Sequence, residues 1–249
     1  MKGLLRHPLR VTGRFIWFLG FLLTAALDFL VHCAFRKNST LAVRSLWLQR
    51  NSRRVLNIFR LQPQVVGTIP SHGLLVSNHL SYVDVPVIAS IMPAVFVAKR
   101  EIKYWPAIGW LTQMAGTLFV DRERRTQVGK MNNEIQRALD DGALVVLFPE
   151  GTSSNGETLL PFKSALLQPA VKPTQPLFIC CVQYALEDGD ASNDICYWGD
   201  HTFFPHLLNL MSQRNIRATV RFAPFQSQTT DRKELARQLR EEVLKLKNG

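Results

Sequence analysis

Apolar and polar positions divide the chain into two regimes. From Phe15 to Leu27 the residues are almost without exception apolar, and the run continues past Asp28 to Phe35. A helix needs about 20 apolar residues to cross a bilayer, so this stretch reaches that length only by enclosing Asp28 and His32. Basic residues flank both ends: Lys2, Arg6, Arg10 and Arg14 before, and Arg36, Lys37 and Arg44 after. That symmetry gives the positive-inside rule no direction, and both flanks suit the cytoplasmic side. A re-entrant or interfacial helix is therefore expected ahead of a single spanning one. No small-residue cleavage site follows, which argues against a signal peptide. Over 39–60, Leu41, Leu48, Val55, Leu56 and Phe59 alternate with Arg44, Arg50, Arg53, Arg54 and Arg60, the pattern of a second, amphipathic helix suited to lipid headgroups.

Beyond Pro70 the pattern changes to short apolar runs separated by helical stripes. Runs at 74–78, 94–99, 117–121, 143–148, 177–183 and 219–222 predict strands. Val128, Met131, Ile135 and Leu139 recur at helical spacing and are closed by Gly142 as a C-cap, which predicts a core-facing helix. A last helix opens with Asp231 and Glu234 as a capping-box pair and ends in Lys245 and Lys247. Alternation of this kind predicts a layered α/β domain over 61–249, preceded by a membrane-associating helical segment over 1–60, with the site at strand ends.

Charge sharpens this division. The net charge is +11, yet residues 1–60 hold eleven Lys/Arg against Asp28 alone, and the rest of the chain is nearly balanced. The basicity belongs to the amino-terminal segment, which points to an anionic membrane surface and away from nucleic acid read by the globular part. Cys33, Cys180, Cys181 and Cys196 show no Cys-x-x-Cys spacing, so a zinc ribbon or redox pair is not expected. Metal-capable side chains at Cys196, Asp200, His201 and His206 form the weakest reading, and no metal is expected.

Three strand ends carry chemistry. The run 74–76 leads into Asn78-His79, and Asp84 follows five residues later beside Pro86, which is tolerated in a helix only near its first turn. A carboxylate there can accept from one imidazole nitrogen and leave the other free to take a proton, although a histidine merely capping a helix has the same spacing. Gly116 to Val120 runs into Asp121 and Arg122, where a guanidinium suits bidentate binding of a phosphate and an Asp-Arg ion pair is the ordinary alternative. Phe148-Pro149-Glu150-Gly151-Thr152-Ser153-Ser154 places a carboxylate, a flexible glycine and three hydroxyls after the fourth apolar run.

Taken together, the His-x4-Asp block, the block 116–122 and the Phe-Pro-Glu-Gly-Thr block resemble the glycerophospholipid acyltransferase family in order and spacing over about 75–185. Lys99-Arg100-Glu101 and Pro161-Phe162-Lys163-Ser164 also fall where that family carries similar residues, whereas its fourth block is represented only by Gln175-Pro176-Leu177. The resemblance implies an enzyme without a cofactor, in which His79 is general base on the free hydroxyl of a lysolipid and Asp84 orients it. The hydroxyl attacks an acyl thioester carried by CoA or acyl carrier protein. Arg122, Glu150, Gly151 and Thr152 would bind the acceptor, with Lys99 and Lys163 nearby. The acceptor implied first is 1-acyl-glycerol-3-phosphate. The run Trp198 to Leu207 resembles a bacterial branch that includes lyso-ornithine lipid acyltransferases, which keeps a second acceptor open. A catalytically silent membrane-binding protein is the remaining alternative.

Overall fold

The computed structural model describes residues 7–34, 40–121, 125–171, 175–227 and 229–249. A 7-stranded sheet runs through the molecule in the order β1-β7-β6-β2-β5-β3-β4. Its strands are β1 (Gln62–Val66), β2 (Gly73–Ser77), β3 (Val95–Lys99), β4 (Leu118–Val120), β5 (Leu144–Leu147), β6 (Leu177–Ala185) and β7 (Arg217–Phe225). All neighbours pair in parallel except β6 and β7, which are antiparallel from Leu177–Phe225 to Ala185–Arg217. Fully buried β2 reads as a continuous apolar run because both of its faces are covered.

Alternation along the central strands sorts the core into two layers. Leu75 and Val146 face one cluster, which takes in α1 (Pro8–Phe29), α2 (Leu41–Phe59), α3 (Asp84–Ile91) and α6 (Phe203–Ser212). Leu74, Val76, Val145 and Leu147 face the other, built on α5 (Arg125–Asp140) and α7 (Arg232–Asn248). Short α4 (Ile108–Met114) lies between β3 and β4. The expected stripe Met131, Ile135 and Leu139 is buried in this second layer.

Six strands lie where the apolar runs predict them, and β7 extends to both sides of 219–222. The edge strand β1 departs from the sequence reading: it precedes Pro70, its positions are mostly exposed, and Pro63 interrupts it. It exists because its one partner, β7, supplies the ladder, and Pro63 is tolerated because only one side of the strand is paired.

The amino-terminal helices pack onto the α/β body. Helix α1 starts with Pro8 in the first turn and continues into a π-turn at Leu30–Ala34. One face buries Val11, Arg14, Phe18, Phe21 and Ala25, while Trp17, Leu23, Leu27 and Val31 point outward and stay exposed. Asp28 and His32, both awkward in an apolar run, are reconciled locally. Asp28 accepts from Asn51 at 2.9 Å and pairs with Arg50 and with His32. Arg14 fastens α1 to the body: it donates to the carbonyls of Met211 at 2.9 Å, Gln213 at 2.6 Å and Phe59 at 3.4 Å, at the ends of α6 and α2. Carbonyls at a helix end lack intrahelical donors, and a guanidinium there also complements the dipole.

Replacing Arg14 by Met keeps the apolar stem and removes these donors. The expected loss is about 2–4 kcal/mol of stability, given the worth of charge-assisted hydrogen bonds and the carbonyls left unpaired. Urea unfolding checks this, and an unchanged midpoint rejects Arg14 as the fastening.

Candidate active site

Strand β2 ends at Ser77, and the next residue fixes the loop that follows. Asn78 donates through Nδ2 to the Val182 carbonyl at 2.9 Å and accepts from the Val182 amide at 2.7 Å, so its side chain extends the β2–β6 ladder by one rung. His79 therefore leaves the strand in a fixed direction. Its Nδ1 meets Asp84 Oδ2 at 2.7 Å. A carboxylate of this kind accepts, so the proton sits on Nδ1 and Nε2 keeps a free lone pair. Asp84 occupies the first position of α3 and is fully buried. Besides His79, its Oδ2 accepts from the amides of Leu80 at 2.7 Å and Ser81 at 3.0 Å, and its Oδ1 accepts from the Tyr184 hydroxyl at 2.7 Å. Four donors converge on one carboxylate, which sets the imidazole's plane and tautomer. Burial and the Asp84 charge push the Tyr184 phenol well above its ordinary range, so it remains a donor.

The third block closes on the first. Phe148 stacks on the His79 ring with centroids 4.2 Å apart. Glu150 is 1% exposed, and its two oxygens accept from the His79 amide at 2.7 Å and the Leu160 amide at 2.9 Å. Burial raises its pKa against the pull of these amides. Both oxygens of Glu150, expected at the acceptor site, are engaged by backbone in this geometry, and Glu150 braces the loop that carries His79. The brace continues to the opposite side of the sheet, where Arg240 of α7 donates to the Leu159 and Leu160 carbonyls and Lys247 donates to those of Gly156 and Glu157. Gly151 turns with φ +75°, a conformation that favours glycine.

A cavity of about 320 Å³ opens beside the imidazole. Lys99, Gly151, Thr152 and Ser153 line its mouth together with His79, while Phe18 and Phe21 of α1, Trp47 and Val55 of α2, Val83 and Phe96 line its interior. Its depth is apolar, which suits a hydrocarbon chain. Lys163 is not among the lining residues: it is exposed, and its amide donates to the Pro149 carbonyl at 2.8 Å, so it is a part of the loop's frame. Arg122 lies outside the described residues. The neighbouring Asp121 pairs with Arg100 at 3.6 Å.

Tyr82, Trp105 and Tyr197 complete the wall, backed by Phe203 and His206. His206 Nε2 lies 3.1 Å from the Cys196 carbonyl, so it carries the proton, and Nδ1 accepts from the Tyr82 hydroxyl at 2.9 Å. Burial brings His206 down to about 4 and keeps it neutral. Among the described residues no three of His, Cys, Asp and Glu converge as a metal requires. Sequence reasoning missed Tyr184, which lies about a hundred positions from Asp84 and carries no local signal. It also missed the Tyr82–His206 pair, whose members look ordinary until α6 brings them together.

The family described as Acyltransferase matches residues 62–183. A lyso-ornithine lipid O-acyltransferase of Rhizobium meliloti is 34% identical over 217 residues, spanning 80% of this chain and 74% of the relative. A 1-acyl-sn-glycerol-3-phosphate acyltransferase of Neisseria meningitidis is 36% identical over 140 residues, 55% of each chain. The crystal structure of the 1-acyl-sn-glycerophosphate (LPA) acyltransferase PlsC of Thermotoga maritima superposes with TM-score 0.68 over 98% of both chains at 19% identity, a likeness of fold.

His206 gives this wall an acid limit. Its imidazole is easier to protonate in the unfolded chain, at the ordinary 6.5, than in the folded one, at about 4. Stability is thus fully present above 6.5 and falls as pH drops towards 4. His206→Gln, which keeps a donor and an acceptor, is expected to remove on the order of 2–3 kcal/mol of that acid-dependent loss. Urea midpoints across this window check it, and parallel pH curves for the two proteins refute it.

Proposed function

The chain belongs to the acyltransferase family, and on that footing we propose that it moves an acyl chain from a thioester to the free hydroxyl of a lysolipid, with His79 as general base. The observation that carries this reading is the His79 imidazole, fixed by Asp84 at 2.7 Å and lining an apolar cavity. His79 Nε2 takes the hydroxyl proton as the oxygen bonds to the thioester carbonyl carbon. The tetrahedral adduct collapses with cleavage of the C–S bond, and the imidazolium returns its proton to the departing thiolate, an easy leaving group with a thiol pKa of about 8.5. Asp84 holds the imidazolium between these steps. CoA or acyl carrier protein is the donor carrier, and no cofactor enters the scheme. Gly151, Thr152 and Lys99 at the mouth, with Arg122, contact the acceptor.

Lyso-ornithine lipid becomes the first acceptor and 1-acyl-glycerol-3-phosphate the second. The reordering is supported by relatives of the former name matching over about three quarters of their length, against about half for the latter. The segment that resembled the ornithine-lipid branch contributes Phe203 and His206 behind the cavity wall, next to Tyr197. Arg122 suits a phosphate and a headgroup carboxylate equally.

Membrane contact is made by the outward face of α1, the one helix among the described residues long and apolar enough to cross a bilayer. An orientation within one leaflet is supported by the inner face being docked along its length, from Val11 through Ala25, against the body, and the cytoplasmic side is supported by the basic residues at both flanks.

Acyl transfer from labelled acyl-CoA, with lyso-ornithine lipid and lysophosphatidic acid offered in parallel, tests the reading. Product from the first acceptor alone is expected, and product from lysophosphatidic acid alone reverses the order. His79→Ala is expected to abolish transfer in a folded protein, and retained turnover removes the base. Arg122→Ala is expected to raise the acceptor KM about tenfold with kcat little changed, since it removes binding and leaves the pair intact; an unchanged KM rejects that role. Tyr184→Phe is expected to lower kcat about tenfold at constant KM through loss of one charge-assisted hydrogen bond to Asp84. A KM effect alone refutes this positioning role.

A further inference from the structure

A second cavity, of about 980 Å³, lies on the outer side of the helical layer. It is bounded by α1, the end of α2 and the turn before β7. Its lining carries the guanidinium groups of Arg10, Arg14, Arg54, Arg60 and Arg214 and no carboxylate. The nearest acids are engaged elsewhere: Asp28 by Asn51, Arg50 and His32, with Arg54 at 3.9 Å, and Glu187 by Asn215 at 2.6 Å. Arg10 and Arg14 donate to carbonyls at the end of α6. The side chains of Arg60 and Arg214 are exposed and make no hydrogen bond or ion pair among the described residues. Burial, and then the charges of Arg10, Arg60 and Arg214, bring Arg14 down to about 10. Five guanidinium groups with Asp28, 3.9 Å from Arg54, as the one paired carboxylate among the described residues are a standing cost that an anion relieves, and guanidinium forks match phosphate oxygens in pairs.

The floor has a different character. Along α1 it passes Gly13 and Gly20, where a side chain would meet no atom within 4 Å, and Thr24. Leu9 and Trp17 border it and are 89% and 73% exposed. A charged end and an open, apolar-edged trough thus adjoin on one surface. Phe21 lines both this cavity and the catalytic one.

We infer that this groove binds one anionic phospholipid of the surrounding membrane, its phosphate held by Arg60 and Arg214 and an acyl chain lying in the trough past Gly13 and Gly20. The inference rests on the membrane-surface orientation proposed above and extends it from a diffuse attraction to a single site distinct from the catalytic cavity. A free phosphate ion has no use for the trough. A neutral phospholipid leaves the arginines unrelieved.

The test counts lipids retained by the purified full chain after exposure to phosphatidylcholine vesicles containing phosphatidylglycerol, using native mass spectrometry. One phosphatidylglycerol is expected on the unaltered protein. Retention is expected to fall about tenfold in Arg60→Gln/Arg214→Gln, which removes the phosphate partners, and likewise in Gly20→Leu, which fills the trough and leaves the charge unchanged. Leucine favours a helix over glycine, so this variant folds, while its sedimentation with the vesicles is expected to persist. Equal retention of phosphatidylcholine, or unchanged retention in Gly20→Leu, overturns the site and leaves only surface attraction. Displacement by millimolar inorganic phosphate as effective as by phosphatidylglycerol overturns the lipid as ligand. Sedimentation of the unaltered protein with the vesicles reads the membrane orientation separately: no sedimentation overturns that orientation, whereas sedimentation with no retained phosphatidylglycerol overturns this site alone.

Discussion

The geometry around His79 depends on a carboxylate removed from water. Asp84 is fully buried, and such a group is tolerated only when its lone pairs are met. The donors that meet them come from two places: the imidazole it orients and two amides of the same loop, and a phenol from the neighbouring strand β6. The loop geometry and the proton-accepting geometry are consequently one arrangement. His79 finds its partner already satisfied and held in place, so the proposed base role would meet a set of donors and a carboxylate organised in advance.

The helical layer does a different job with comparable means. Buried Arg14 is a cation whose partners are carbonyls, placed where two helices run out of internal donors. It holds α1 so that Phe18 and Phe21 become walls of the catalytic cavity, and the same fastening leaves the opposite face of α1 apolar and uncovered. One helix thus lines the hydrocarbon pocket on its inside and presents hydrocarbon on its outside. That continuity suits an enzyme whose substrates arrive from a lipid phase.

Much of this was legible in the sequence because it is local. Periodicity identified six of the strands and the core stripe of α5, and the three loops at strand ends identified His79 and Asp84 as a pair. What was illegible is non-local. Edge strand β1 has a polar, proline-containing sequence and exists through pairing with a strand about 150 positions later. Tyr184 reaches Asp84 only because β6 lies beside β2. Glu150 is instructive in the opposite sense: its position in a chemistry-bearing loop suggested a ligand for substrate, and the fold turns it inward to serve the backbone. A carboxylate beside a reactive group in sequence has two ways to matter, and burial distinguishes them.

That inward carboxylate also links two surfaces with no contact of their own. From Arg240 and Lys247 on α7, hydrogen bonds reach the 156–160 loop, and through Leu160 and Glu150 they reach the backbone of His79. The last helix, on the face of the sheet turned away from the cavity, is therefore a tensioning element for the reactive histidine. A truncation or fusion at the carboxyl end that leaves every cavity residue untouched is, in mechanical terms, an edit to the catalytic loop.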